Sequence, residues 1–390
     1  MTDTAPSPHD TLSPEQLRHA DNIKWTFYGE DVLPMWVADM DFPVAEPILA
    51  ALQDRLTRSI GYAQVTGDPV LKAQLIAKLA RDGLMNLIPE GVGFLPGVVP
   101  GLYAAVQALT QPGDAVMTVV PIYPPFLSAI TDHGRVLNAV ALTESKEGWR
   151  LDMAALDAAM TPNTKLLMLC HPHNPAGRVW TRAELEGLAD FALKHDLWVV
   201  SDELHADLRY PDAPEYVPFA AVRPELAGRV VTLTGPCKAY NTAGLGIGAM
   251  VSHNPELVAR LEKATHGIMG HASALSITMW QAALSSGAEW LAETLKYLQA
   301  NRDFVSAFMA RELPEVPYTP PQATYLAWFD LRSHPRAADI QKYLLEEAQL
   351  ALNDGLNFGS DYQGFVRLNF ATSRALLQDG LERLARAVKG

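Results

Sequence analysis

The chain has 390 residues, 48% of them hydrophobic, and 31 Lys plus Arg stand against 44 Asp plus Glu for a net charge of −13. That length buries a large core, as two domains or as one large domain with a smaller one attached. The acidic balance and the lack of any basic tract argue against nucleic acid or an anionic membrane as partner. No apolar run of about 18 residues is present to span a bilayer.

The opening MTDTAPSPHDTLSPEQ carries neither the basic start nor the apolar stretch of a secretory signal, and reads as a frayed tail. Two cysteines, Cys170 and Cys237, show no CxxC spacing, so a reducing cytoplasm is the simplest compartment. Residues 25–42, WTFYGEDVLPMWVADMDF, are aromatic with little periodicity and read as an extended arm. Helical apolar spacing follows over 44–56, and Gly67-Asp68-Pro69 marks a loop before a helix over 70–81.

From there strand and helix alternate. A strand over 93–95 meets Gly97-Val98-Val99-Pro100-Gly101, which opens a helix to about Leu109. A strand over 115–120 ends at PIYPPF, with a helix from Phe126, and a strand over 165–170 ends at HPHNP. The capping box Thr181-x-x-Glu184 starts a helix running to about His195. Strands over 197–201 and 230–233 end at Asp202 and just before Lys238. The loop HGIMGHASALS precedes a helix, and a long amphipathic helix over about 288–310 then leads to a smaller α+β region, with strands at 324–330 and 365–370 and a helix near 337–348. The order is that of an α/β fold whose apolar strands lie in a mostly parallel sheet covered on both faces. In such sheets ligands bind beyond the carboxyl ends of the strands. Val98, Val99, Tyr123, Asn174, Asp202 and Lys238 each fall just after a strand.

Taken singly, each residue has a plain structural reading. Tyr123 could fill core, Asn174 could start an Asn-Pro turn, and Asp202 could cap a helix or join a buried ion pair. Together they offer backbone N–H groups at a helix start for a phosphate, a stacking face, a buried carboxylate and a lysine nucleophile. Those are the needs of pyridoxal 5′-phosphate, whose ring nitrogen an aspartate keeps protonated. A metal site built from His171, His173 and His205 with Asp202 or Glu203 is the weaker reading. It leaves Lys238 idle and lacks the ligand spacings of zinc sites.

The chain resembles the fold-type I pyridoxal-phosphate enzymes of the aminotransferase class I/II family, and within it the MalY/PatB subfamily of carbon–sulfur lyases. The residues that carry this are LPMWVADMDFP (33–43), IGYAQVTG (60–67), GVVPGL (97–102), PIYPPF (121–126), HPHNPAGRVW (171–180), SDELHADL (201–208), CKAYNTAGL (237–245) and GFVRLNFATSR (364–374). The resemblance implies a large, mostly parallel α/β/α domain over 45–287. A smaller α+β unit would be formed by the N-terminal arm, 1–44, with 288–390.

It also implies roles. Lys238 would carry the cofactor covalently and move the Cα proton, and Asp202 would pair with the pyridine nitrogen. Asn174 and His205 would contact the phenolic oxygen, and Tyr123 would stack on the ring. Val98 and Val99 would hold the phosphate, with Tyr62 reaching it from a second subunit of a homodimer. Arg367 would clamp the substrate carboxylate, with Asn174 and the Ala38 backbone beside it. Two departures stand out. Gly235-Pro236-Cys237 replaces the usual Ser-x-Ser before the lysine, leaving Thr234 as a substitute phosphate ligand. Gly246 stands where many aminotransferases place a phosphate-binding arginine. The implied reaction is β-elimination from L-cystathionine or another L-cysteine S-conjugate, giving thiol, pyruvate and ammonia. An aminotransferase uses the same groups and remains the alternative, as does a regulatory protein that keeps the cofactor and acts through a protein partner.

Overall fold

The computed structural model describes residues 8–64, 67–145 and 148–390. Its centre is a seven-stranded sheet: β1 Val92–Leu95, β2 Ala115–Val120, β3 Val136–Ala141, β4 Thr164–Cys170, β5 Trp198–Asp202, β6 Val230–Thr234 and β7 Gly248–Val251, in the spatial order β1-β7-β6-β5-β4-β2-β3. All neighbours pair parallel except β7, which runs antiparallel to β1 and β6. The carboxyl ends of β1, β2, β4, β5 and β6 therefore share one edge.

The apolar strands are apolar because both faces are covered. Along β4, Leu167 and Leu169 enter one core, while Leu166, Met168 and Cys170 enter the other. Helices Val98–Leu109, Pro124–Thr131 and Pro255–Thr265 contribute buried residues to the second core. Helices Glu46–Leu56, Pro69–Arg81, Arg182–Lys194 and Ala274–Ser286 serve the first. Thr181 caps its helix through the reciprocal bonds with Glu184 that the sequence indicates.

The long helix Ala288–Glu312 leads to an antiparallel sheet of Leu326–Asp330, Phe365–Asn369 and Asn353–Asp354. The arm joins this end of the molecule, with Leu33–Pro34 pairing parallel to Leu350–Ala351. A buried ion pair fixes the arm further: Lys24 Nζ lies 2.8 Å from Asp41 Oδ2, and Trp25 Nε1 donates to Asp41 Oδ1 at 2.7 Å. The arm is mostly extended, with one short helix at Ile23–Thr26.

Three departures from the sequence reading have physical causes. Residues 8–16 are ordered structure: Ser13 and Gln16 form a capping box on helix Pro14–His19, and Leu17 is buried. Residues 1–7 of the supposed tail lie outside the described residues. Strand β3 is a partly exposed edge without a clean apolar run, and β7 opens on two small residues, so neither carries a strong strand signal. The hairpin of Thr143–Ser145 with Gly148–Arg150 and the helices Met153–Ala159, Pro255–Thr265 and Arg374–Lys389 also lie outside that reading. Among the described residues no helix is long and apolar enough to cross a membrane.

Candidate active site

A cavity of about 320 Å³ opens at the carboxyl edge of the sheet, bounded on the far side by the arm and by the C-terminal sheet. Four βα turns reach it. The first is Gly97-Val98-Val99-Pro100, the start of a helix whose N-terminus has no side-chain cap, so its leading N–H groups are free for an anion. Glycine is required beside it. A Cβ on Gly248 would lie 3.0 Å from the Gly97 carbonyl carbon, and one on Gly246 would lie 2.6 Å from the Pro96 oxygen. Gly246 therefore sits against backbone that a side chain would displace.

The second turn brings Tyr123, the third Asn174, and the fourth Asp202 and His205. Asp202 is 6% exposed and accepts from the Leu204 N–H at 3.0 Å. Burial pushes its carboxyl up to about 7; Glu203 adds to the rise, while the Leu204 N–H and Lys238 oppose it. His205 is pushed down to about 3, by burial first and then by the charges of Lys238 and Arg367, so the ring is neutral. Burial raises the Tyr123 phenol, against the pull of Arg367.

Lys238 follows β6 and points across the cavity to the arm. Its Nζ donates to the Ala38 carbonyl at 2.8 Å and lies 3.8 Å from Asp39 Oδ1. Tyr325 OH donates to the same carbonyl at 2.8 Å. Arg367 rises from the C-terminal sheet, 3% exposed, donating to Asn174 Oδ1 at 3.0 Å and to the Trp36 carbonyl at 3.2 Å. Its Nε is buried without a partner, and burial pulls the guanidinium down to about 10. A buried guanidinium that lines a cavity and keeps one donor unpaired suits a carboxylate.

Lys238, Asp202, Tyr123, Asn174, His205, Val98, Val99, Arg367 and Ala38 thus come together around one cavity. Two other sequence candidates do not. Thr234 is buried at the end of β6 and is not among the cavity's lining residues. Tyr62 stands fully exposed, away from the cavity of its own chain. His171 and His173 do not line it either; both are fully buried neutral rings, His171 stacked on Tyr216 at 5.0 Å and His173 edge-on to Trp180.

Sequence reasoning did not single out Asn353, Tyr325, Asp39 or Asn369. Asn353 lies opposite Arg367 in the sheet register and lines the cavity. Asn369 holds the arm by donating to the Val37 and Asp39 carbonyls, each at 2.6 Å. Asp39 and Asn369 fall inside quoted motifs, where a closer reading could have found them. Asn353 and Tyr325 carry no sequence signal of their own.

The profile described as "Aminotransferase class I and II" matches residues 30–384. The chain belongs to the class I and II aminotransferase family. Cystathionine beta-lyase PatB of Bacillus subtilis (strain 168) is 36% identical over 94% of this chain and 96% of its own. Among solved structures, cystalysin from Treponema denticola, which contains pyridoxal 5′-phosphate, superposes with a TM-score of 0.91 at 28% identity, covering 99% of both chains. The pyridoxal-phosphate-bound C–S lyase from Staphylococcus hominis superposes with a TM-score of 0.90 at 28% identity, covering 98% of both.

The donor set fits that cofactor. Uncapped N–H groups suit a phosphate, the buried Asp202 carboxyl suits a protonated ring nitrogen, and Lys238 is the one lysine lining the cavity among the described residues. His205, which lines the cavity, has a buried Nδ1 without a partner.

Proposed function

We propose that this chain is a pyridoxal-phosphate-dependent carbon–sulfur β-lyase, which cleaves L-cystathionine or a related L-cysteine S-conjugate to a thiol, pyruvate and ammonia. The observation that carries the reading is Lys238 and Arg367, the latter with an unpaired Nε, lining one cavity in a chain whose near-full-length relatives include proteins named cystathionine beta-lyase and C–S lyase. When bound, the cofactor supplies an electron sink for the pair released at the substrate Cα.

The rest is the work of this chain. Arg367 takes the substrate α-carboxylate, with Nε and the N–H groups now spent on Asn174 and Trp36 as its donors. The Ala38 carbonyl already accepts from Lys238 and Tyr325, and a carboxylate only accepts, so any Ala38 contact to it runs through the N–H. With the cofactor bound, Val98 and Val99 would hold its phosphate, Asp202 would pair with its ring nitrogen and Tyr123 would cover its ring. Asn174 and neutral His205 would serve its phenolic oxygen, and Asn174 also steadies Arg367. Lys238, once freed, takes the Cα proton. The Cβ–S bond then breaks with its electron pair on sulfur, and the thiolate collects a proton. Water hydrolyses the remaining 2-aminoacrylate to pyruvate and ammonia.

The active unit in this reading is a homodimer. Tyr62, fully exposed on its own chain, would reach the phosphate in a second copy's cavity. The chain divides into a large domain over 45–287 and a small one formed by 1–44 with 288–390. Its two cysteines are free, in keeping with a cytoplasmic setting.

The test supplies S-methyl-L-cysteine without any 2-oxo acid. Thiol and pyruvate are expected in equal amounts over many turnovers. A transaminase would stop after one equivalent per site and restart only on adding an oxo acid, and that result would replace the lyase assignment.

A further inference from the structure

We propose that Tyr325 is a positioning residue for the proton transfer: its hydroxyl fills one side of the Ala38 carbonyl and leaves Lys238 the other, which fixes where the freed amine stands when it takes the Cα proton. This rests on Lys238 acting as the base, as it does in the lyase reading.

Ala38 and Lys238 both line the cavity, and Lys238 Nζ donates to the Ala38 carbonyl at 2.8 Å. Tyr325 OH donates to the same oxygen, also at 2.8 Å. A carbonyl oxygen has two lone pairs, so these two donors occupy it. Tyr325 itself is 1% exposed, and burial pushes its phenol well up, so the hydroxyl keeps the proton it donates. Its backbone is held as well: the Tyr325 carbonyl accepts from the Phe370 N–H at 2.9 Å, and the preceding Thr324 carbonyl accepts from Tyr210 OH at 2.6 Å.

The arm around Ala38 is fixed carbonyl by carbonyl. Asn369 Nδ2 donates to those of Val37 and Asp39, each at 2.6 Å, and Asn241 Nδ2 to those of Met40 and Phe42, at 2.9 and 3.0 Å. Of these carbonyls, that of Ala38 is the one that also holds the catalytic lysine. An amine on four methylene groups turns freely unless something restrains it. With one side of its acceptor filled, Nζ is confined to the other, in the wall of the cavity that receives the substrate. Without the Tyr325 hydroxyl the amine has more room to move about its acceptor, and the geometry for taking a proton from carbon is met less often.

Tyr325→Phe keeps the ring and its packing and removes the hydroxyl alone. The proton step is read directly with L-alanine, which has no group to eliminate, as exchange of its Cα hydrogen in D₂O followed by NMR. Per cofactor-loaded site, this exchange and kcat for S-methyl-L-cysteine should both fall by about tenfold, the factor set by the net worth of one hydrogen bond. KM, and the cofactor affinity of the apo protein titrated by fluorescence, should stay within about twofold of wild type, as for a group that acts on the proton step and not on binding. Counting by loaded sites leaves out any unfolded fraction, and Tyr325→Met carries the same comparison should the Phe variant fail to load. Unchanged exchange overturns the role. So does a loss shared by exchange, KM and cofactor affinity, because a tyrosine that only packs would act on all three. A wild type that exchanges the Cα hydrogen but releases no thiol from S-methyl-L-cysteine overturns the lyase reading instead, and exchange alone then decides the role of Tyr325.

Discussion

Asp202 is held in the protein at a cost that a bound ring can remove. Its carboxylate is desolvated, accepts one backbone N–H, and is pushed up to about 7. Between its usual value and about 7 the folded protein keeps a proton that the unfolded chain has lost. Stability from this group is thus full below the usual carboxylate range and falls as pH rises through 7. Asp202→Asn should therefore stabilise the cofactor-free protein at pH 8 by on the order of a few kcal/mol, seen as a higher melting temperature. Added cofactor should stabilise the wild type more than the variant, and turnover should collapse. Thermal melts of both proteins with and without cofactor check this, and an apo variant less stable than apo wild type would contradict it. Asp202 and Lys238 were legible in the sequence because each follows a short apolar strand. Asn353 and Tyr325 were not, because Asn353 reaches the cavity through its register with Arg367 and Tyr325 touches the site only through the Ala38 carbonyl, both of which exist only in the folded chain.

At the level of elements, local chemistry explains what could be read. The Thr181 box, the β-branched interiors of β2 and β6 and the glycine-rich turn after β1 are strong local signals, and each element forms within a residue or two of its expected place. Strand β7 escaped because close packing on the β1 turn requires small residues, and small residues carry little strand signal. The same packing accounts for Gly246, which lies against the Pro96 backbone. The turn it touches is the one that presents Val98 and Val99, so Gly246→Ala should act on the phosphate end of the site. A Cβ 2.6 Å from the Pro96 oxygen must push that backbone, and overpacking of this kind costs about 1–3 kcal/mol. Cofactor affinity should drop by about tenfold, since 1.4 kcal/mol is a factor of ten. Equilibrium titration of the apo protein, followed by fluorescence, measures it. Unchanged affinity would mean that the turn yields without moving its N–H groups.

Across the whole molecule, burial of ionisable rings sets the response to acid. His171, His173 and His205 are each buried and pulled down to about 3, with desolvation the leading cause in every case. Read in the sequence, these rings invited a metal; folded, they are neutral, and His173 has no hydrogen-bond partner on either nitrogen. Below pH 6.5 the unfolded chain takes up protons on all three, while the folded protein declines them until about pH 3. Stability is therefore full above 6.5 and lost as pH falls, with a slope of about 1.4 kcal/mol per pH unit for each ring. Asp202 and Glu203, both raised by burial, work in the opposite sense over part of that range and reduce the net loss. The cofactor-free protein should melt at steadily lower temperature from pH 6.5 downward. His171 and His173 lie outside the cavity, so cofactor should not abolish the trend. His173→Leu removes one proton-binding group from the unfolded state and gives up no hydrogen bond, so its stability should depend less steeply on pH by about one proton. Denaturant titrations of apo wild type and variant at pH 5, 6 and 7 supply the slopes. Equal slopes in the two proteins would show that the His173 ring is charged, or solvated, inside the fold.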